Sequence, residues 1–175
     1  MPTLPPIRLV DYFVEHLAYD VLVEANARGA PEDRAPFGNI GLDVHYDGDV
    51  TPEEGAREGW ETLAFHVTVN VNPEAETPEP VSYRAVVRFA GLFERKRYAT
   101  LDPAPGEQAY HTHCLASVLS TLYGAARELI ASLTAPTPFR KLVLPSISPY
   151  AVAEAMLKEK AALEGTADTS DGPQG

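Results

Sequence analysis

Phe89-Ala90-Gly91-Leu92-Phe93-Glu94 divides the chain into two kinds of sequence. Before it, apolar residues recur at every second position. After it, they recur at helical spacing from Glu107 onward. A glycine inside an apolar strand marks a bulge, a bend or a point where another backbone comes close. The stretch therefore reads as the end of a sheet and its junction with what covers it.

Working backward, four segments alternate with period two, the pattern of strands with one buried face. Leu17, Tyr19, Val21 and Val23 point one way, against Ala18, Asp20, Leu22 and Glu24. Leu9 and Phe13 continue that odd-numbered face, so the strand is free to start as early as Ile7. Ile40, Leu42, Val44 and Tyr46 form the second set, and Leu63, Phe65, Val67, Val69 and Val71 the third. Tyr83, Ala85, Val87 and Phe89 form the fourth. Clean alternation predicts an antiparallel sheet with one solvated face. Turn-rich breaks separate the strands at Arg28-Gly29-Ala30-Pro31, Asp47-Gly48-Asp49 and Asn72–Pro80. The acidic loop Gly48–Gly59 reads as mobile.

Working forward, Leu101-Asp102-Pro103-Ala104-Pro105-Gly106 ends the sheet region. Glu107–Leu133 then reads as one helix, about 40 Å long at 1.5 Å per residue. Its apolar residues cover about half of a helical wheel, wider than one small sheet requires. The excess predicts a second protein surface, with Leu115, Val118, Leu119, Leu122 and Leu129 at an oligomer interface. Pro136 and Pro138 stop the helix. The connector Phe139–Pro149 is apolar where loops are normally polar. A shorter helix follows over Tyr150–Glu164, and the face between it and the sheet is a further candidate surface. Residues 1–164 read as one domain. The acidic tail 165–175 has no core-forming residue and reads as disordered. The fold class is thus α+β: a four-stranded antiparallel sheet, a long helix, an apolar crossover loop and a second helix.

Composition narrows the function. With 14 basic against 25 acidic residues, the net charge is −11. Nucleic-acid binding relies on Lys and Arg neutralising phosphates, so this balance argues against it. No basic-then-apolar leader and no 18-residue apolar run are visible, so neither a signal peptide nor a membrane span is expected. The single Cys114 has no internal disulfide partner and suits a reducing compartment.

Catalytic and metal motifs are weak. His111 and His113 lie two apart and so face opposite sides of a helix, which defeats a shared metal. His16, His45 and His66 share the polar sheet face. A symmetric hairpin pairs position 45 near 62 and leaves His66 about 13 Å away, a solvated-face arrangement. No nucleophile elbow, paired-carboxylate motif or phosphate-cradling glycine loop is visible, so no cofactor and no catalysis are expected. The connector has the strongest claim to function: Phe139, Leu142, Leu144, Ile147 and Tyr150 are candidates to line a groove for apolar polypeptide, some contacting the client and others anchoring the loop against the core.

Asp20-Val-Leu-Val-Glu24-Ala, Ala90-Gly91-Leu92-Phe93, Ala126-Arg127-Glu128 and the run Phe139–Leu144 stand in an order and spacing that resembles the SecB family of protein-export chaperones. The resemblance spans about Val14 to Gly175. It implies a cytoplasmic, ATP-independent holdase, usually a tetramer, that carries non-native preproteins in apolar grooves. It also implies hand-over to the SecA motor through an acidic strand face, matched here by Asp20 and Glu24. The chain departs from the pattern at Arg84 and Val86, where the family has an apolar and an acidic residue. It departs again at Tyr123-Gly124-Ala125-Ala126, and a Cys-Pro-Asn at the start of that helical stretch is absent. Some divergent members protect an aggregation-prone antitoxin, which is the alternative client. A small-molecule-binding or enzymatic α+β domain is the alternative from a different class.

Overall fold

The computed structural model describes residues 4, 6–21, 39–51, 57–73, 83–136 and 141–167. Four strands come first: β1 (Arg8–Val21), β2 (Ile40–Asp49), β3 (Trp60–Val71) and β4 (Tyr83–Lys96). Two helices follow, α1 (Glu107–Thr134) and α2 (Pro149–Ala167). The strands form one antiparallel sheet in the order β1-β4-β3-β2. The long first strand therefore pairs with the last and forms one edge, while β2 forms the other.

The period-two faces are those read from the sequence in β2, β3 and β4. Leu63, Phe65, Val67, Val69, Val71, Tyr83, Ala85, Val87 and Phe89 are all buried on the inner face. In β1 the odd-numbered face does not continue. The register slips between Leu9 and Asp11 and again between Val14 and His16, leaving Val10 and Glu15 as extra residues. Each bulge flips the parity of what precedes it. Leu9, Tyr12, Val14, Leu17, Tyr19 and Val21 thus pair with the inner-face positions of β4, while Phe13 sits opposite Ala90 on the outer face. The β2–β3 hairpin is also displaced from its symmetric register. Its strands run further than the alternation suggested, Asp47 is an extra residue, and His45 pairs directly with His66. Their rings are 6.2 Å apart, not a strand's half-length.

Gly91 belongs to the close-approach class. A Cβ added there would lie 2.8 Å from a Phe93 ring carbon and 3.0 Å from a Leu122 methyl. The missing side chain lets α1 settle on β4, and α1 packs on β4 and β3. Val118, Leu122, Ala126 and Ile130 close over the inner face. By length and apolar content α1 would meet the criterion for a membrane crossing, but about half of that window is buried in the protein. Its wide apolar arc has a second partner within the same chain. Ala116 and Leu119 pack on Ala153 of α2, with Val152 and Met156 beside them. The small residues Ala116 and Ala153 allow the two helices to approach. α2 runs past its expected end at Glu164, through Gly165, to Ala167.

A buried asparagine joins three strands at one end of the sheet. Asn72 has a positive φ of 51°, which asparagine tolerates better than most residues. Its side-chain amide donates to the Tyr83 carbonyl at 2.8 Å and accepts from the Asn39 backbone N–H at 3.1 Å.

Candidate functional site: an apolar groove beside α2

Only part of the inner face is roofed closely. Between α2 and the β2 side of the sheet lies a groove of about 510 Å³. That is the size of a site for a few side chains or a small ligand. Val44 and Tyr46 of β2 and Leu63 and Phe65 of β3 form one side, and Leu115, Met156 and Leu157 form the other. Strand alternation puts the β residues on one face, and helical spacing puts Met156 and Leu157 above them. Tyr46 lies 5.0 Å from Phe65 between ring centres, and Phe65 meets Phe93 edge-on at 6.0 Å. Although it belongs to this wall, Tyr46 remains 46% exposed. Its ring is available to whatever enters.

One end of the groove is polar but internally neutralised. Arg95 Nε lies 2.6 Å from Glu61 Oε1, with both side chains largely buried. The Arg95 guanidinium also sits over the Tyr110 ring at 5.1 Å. The Tyr110 hydroxyl donates to the Lys96 carbonyl. Burial pushes the Cys114 thiol and the Tyr110 hydroxyl up from their ordinary values. Cys114 is therefore held as a thiol, the unreactive form. Glu159 and Lys160 offer both signs at the rim. The arrangement suits an apolar guest: its walls are hydrocarbon and aromatic, and its one deep cation already has a carboxylate. Among the described residues, no group of three or more His, Cys, Asp or Glu side chains is placed to hold a metal ion.

The connector residues separate into anchors and surface. Leu142 and Leu144 are fully buried and belong to the core. The Leu142 N–H donates to Thr134 Oγ1 at 2.9 Å, and the Tyr123 hydroxyl donates to the Pro145 carbonyl at 2.8 Å. These bonds lay the connector along the C-terminal half of α1. Each buried leucine contributes about 1.5–3 kcal/mol. Ile147 is half-buried against the core, and Tyr150 is exposed with its hydroxyl 2.7 Å from His113 Nδ1. Phe139 lies outside the described residues. The alternation rule could have separated these roles, because Leu142 and Leu144 point inward while Lys141 and Val143 are exposed.

Asp20 is exposed on the outer face of β1, paired in register with Arg84 of β4. Glu24 lies outside the described residues. Of the residues read as an oligomer interface, Val118, Leu119 and Leu122 are buried within the chain, and Leu115 and Leu129 are half-buried. Sequence reasoning placed Val44, Tyr46, Leu63 and Phe65 on the buried strand face, not in a groove. Met156 and Leu157 were the sign, being apolar residues on a short helix facing a sheet.

A scan of protein-family models and a search of curated proteins found no match. Among solved structures, the chain is similar to the Mycobacterium tuberculosis Rv1957 SecB-like chaperone in complex with a ChAD peptide from the Rv1956 HigA1 antitoxin. That likeness has 17% identity and a TM-score of 0.42, over 81% of this chain and 90% of that one. It is also similar to a protein of unknown function from Streptococcus agalactiae, at 10% identity and a TM-score of 0.47, over 81% of this chain and 98% of that one. At these levels neither likeness assigns an activity.

Proposed function

We propose that the protein is an ATP-independent holdase that binds extended apolar segments of non-native polypeptides in the groove between α2 and the β2 side of the sheet. The open apolar groove with Tyr46 half exposed in its wall carries this reading. The resemblance of the sequence to the SecB family agrees with it. Burying client apolar surface there yields roughly 25 cal/mol per Å², which favours many sequences over one. A cytoplasmic setting fits the single cysteine, as expected from redox compartment.

The finer reading is a self-associating carrier, with a tetramer favoured. Its support is the bare apolar surface of β1: Val10, Tyr12, Phe13, Val14 and Leu17 are all more than 40% exposed on an edge strand. An edge of this kind pairs readily with a second copy.

The test is light scattering of a denatured client diluted into buffer with and without the protein, in the absence of ATP. Tyr46→Ser combined with Met156→Ser should abolish most of the suppression while circular dichroism stays unchanged. A folded variant with full suppression would remove the groove from the mechanism. Two further arms separate client classes. Tight binding of an unfolded preprotein, released by SecA, supports a role in export. Preference for an antitoxin peptide, with no response to SecA, supports the dedicated chaperone. Turnover of a small molecule would support the enzymatic alternative.

A further inference from the structure

The outer face of the sheet carries a charge cluster that the groove does not use. His66 stands at its centre, on β3, with its side chain only 13% exposed. Its Nδ1 lies 2.8 Å from Glu15 Oε2 on β1, and its Nε2 meets Asp47 of β2. Both carboxylates belong to bulge residues. Glu15 is the extra residue of β1 and Asp47 the extra residue of β2. Bulges re-aim side chains, and these two aim carboxylates inward from the two opposite edges of the sheet. One imidazole thus links the inner strand β3 to both edges.

Other charged groups face the same point. Arg88 Nε of β4 lies 2.7 Å from the same Glu15 oxygen, and His45 Nε2 of β2 lies 3.0 Å from Asp47 Oδ1. Glu15 and Asp47 therefore each have a second cationic or protonatable neighbour. Arg88 also ties Glu15 to an inner strand, β4, whereas His45 lies on the same strand as Asp47, so His66 is the partner that the two edge carboxylates share. A carboxylate only accepts, so both contacts are hydrogen bonds only when both ring nitrogens carry protons. The neutral ring keeps one N–H and turns a lone pair toward the other carboxylate.

We propose that His66 is a proton-operated clamp that ties both edge strands to the centre of the sheet. With both ring protons in place, β1 and β2 are held. When one proton leaves, one of these two side-chain ties is lost and that edge is held to its neighbour by the remaining contacts alone. β2 carries Val44 and Tyr46 of the groove, so the clamp couples the groove wall to the protonation of this ring.

Amide hydrogen exchange at pH 6.0 and pH 8.0, corrected for intrinsic rates, tests this on the full chain. The informative amides are those of β1 bonded to β4 and those of β2 bonded to β3, near Glu15 and Asp47. Their protection should fall about tenfold in total from pH 6.0 to pH 8.0, the size of one charge-assisted hydrogen bond. Amides in the middle of α1 should not change. His66→Gln, which keeps His45 and Arg88, should abolish the pH dependence. Unchanged protection in the wild type would overturn the clamp, and so would the same fall in His66→Gln. If His66→Gln does not fold, Asp47→Asn decides. The fall at β2 should then vanish while any fall at β1 remains. An undiminished fall at β2 would overturn the proposal. Because the readout is exchange and not client binding, it stands or fails independently of the holdase reading.

Discussion

The two edges of this sheet are built for different ends. β2 is the shorter edge, and its apolar side faces α2 across a groove. β1 is the longer edge, and among the described residues no helix packs closely over its middle. Tyr12, Val14 and Leu17 share the inner face with the core residues of β4, yet each is more than 40% exposed. The difference follows from where α1 lies. It crosses β3 and β4, and α2 is added on the β2 side. One edge becomes a lined recess, and the other is left as a bare strand. Proteins usually protect a bare edge with charge, bulges or a cover. β1 has two bulges but keeps its apolar residues exposed, and the self-association proposed above rests on that feature.

The largest expected effect comes from breaking what both edges share. Leu122→Ala removes a fully buried side chain at the α1–β4 contact and should cost about 2–5 kcal/mol. Chemical denaturation should show the loss, with both edges affected together. A loss confined to one edge would mean the two halves of the sheet fold separately.

Asn72→Ala should separate the edges. It removes the side-chain bonds to Asn39, just before β2, and to Tyr83, at the start of β4, and leaves the backbone bond from Asn72 N–H to the Asn39 carbonyl. We expect a cost of about 2–3 kcal/mol from buried groups left unpaired. Exchange protection should fall first at the β2–β3 end. Asn72→Gly should recover the part that is due to the positive φ.

Val14→Lys with Leu17→Lys acts on β1 alone. Sedimentation should show loss of self-association, and client binding per chain should be retained. If the mass is unchanged, the bare edge is not the contact.

Gly124→Ala should touch neither edge. A Cβ at Gly124 meets nothing within 4 Å, and the site is inside a helix. Stability should rise by about 0.5–1 kcal/mol. A drop in assembled mass with that gain would show that a second chain lies close to this face.

The smallest effect concerns pH at the β2–β3 turn. The Thr51 hydroxyl and backbone N–H, with Arg97 nearby, hold the Asp49 carboxyl below the usual range, against a smaller opposing effect of burial. A carboxylate with a depressed folded value stabilises above its unfolded value, near 3.9, and loses that contribution as pH falls through the folded value. Acid titration of wild type against Asp49→Asn should show the difference fade below about pH 4.

Much of the fold was legible because β2, β3 and β4 are plain alternating strands and α1 is a long periodic helix. The failures are local and physical. Bulges at Val10, Glu15 and Asp47 insert single residues, and nothing in the period announces them. They misplaced Phe13 and helped hide the His45–His66 pairing. The groove was harder still. Tyr46 and Phe65 alternate like any core residues, and only the third dimension shows that one is half uncovered. The wide apolar arc on α1 was read as an oligomer interface, and α2 of the same chain covers part of it. The connector was read as part groove lining and part anchor, and Leu142 and Leu144 are the anchors.

Gly91 gives one residue authority over a distant dimension of the molecule. It sets the standoff of α1 from the sheet, and α2 rides on α1. The width of the recess above β2 is therefore fixed partly on β4, a strand that lends the recess little of its own lining. A methyl at position 91 would push on Leu122 and Phe93, and the helix pair would act as a lever with the far end over Tyr46. Variation at this position would alter the width of the recess without altering any side chain of β2 that lines it.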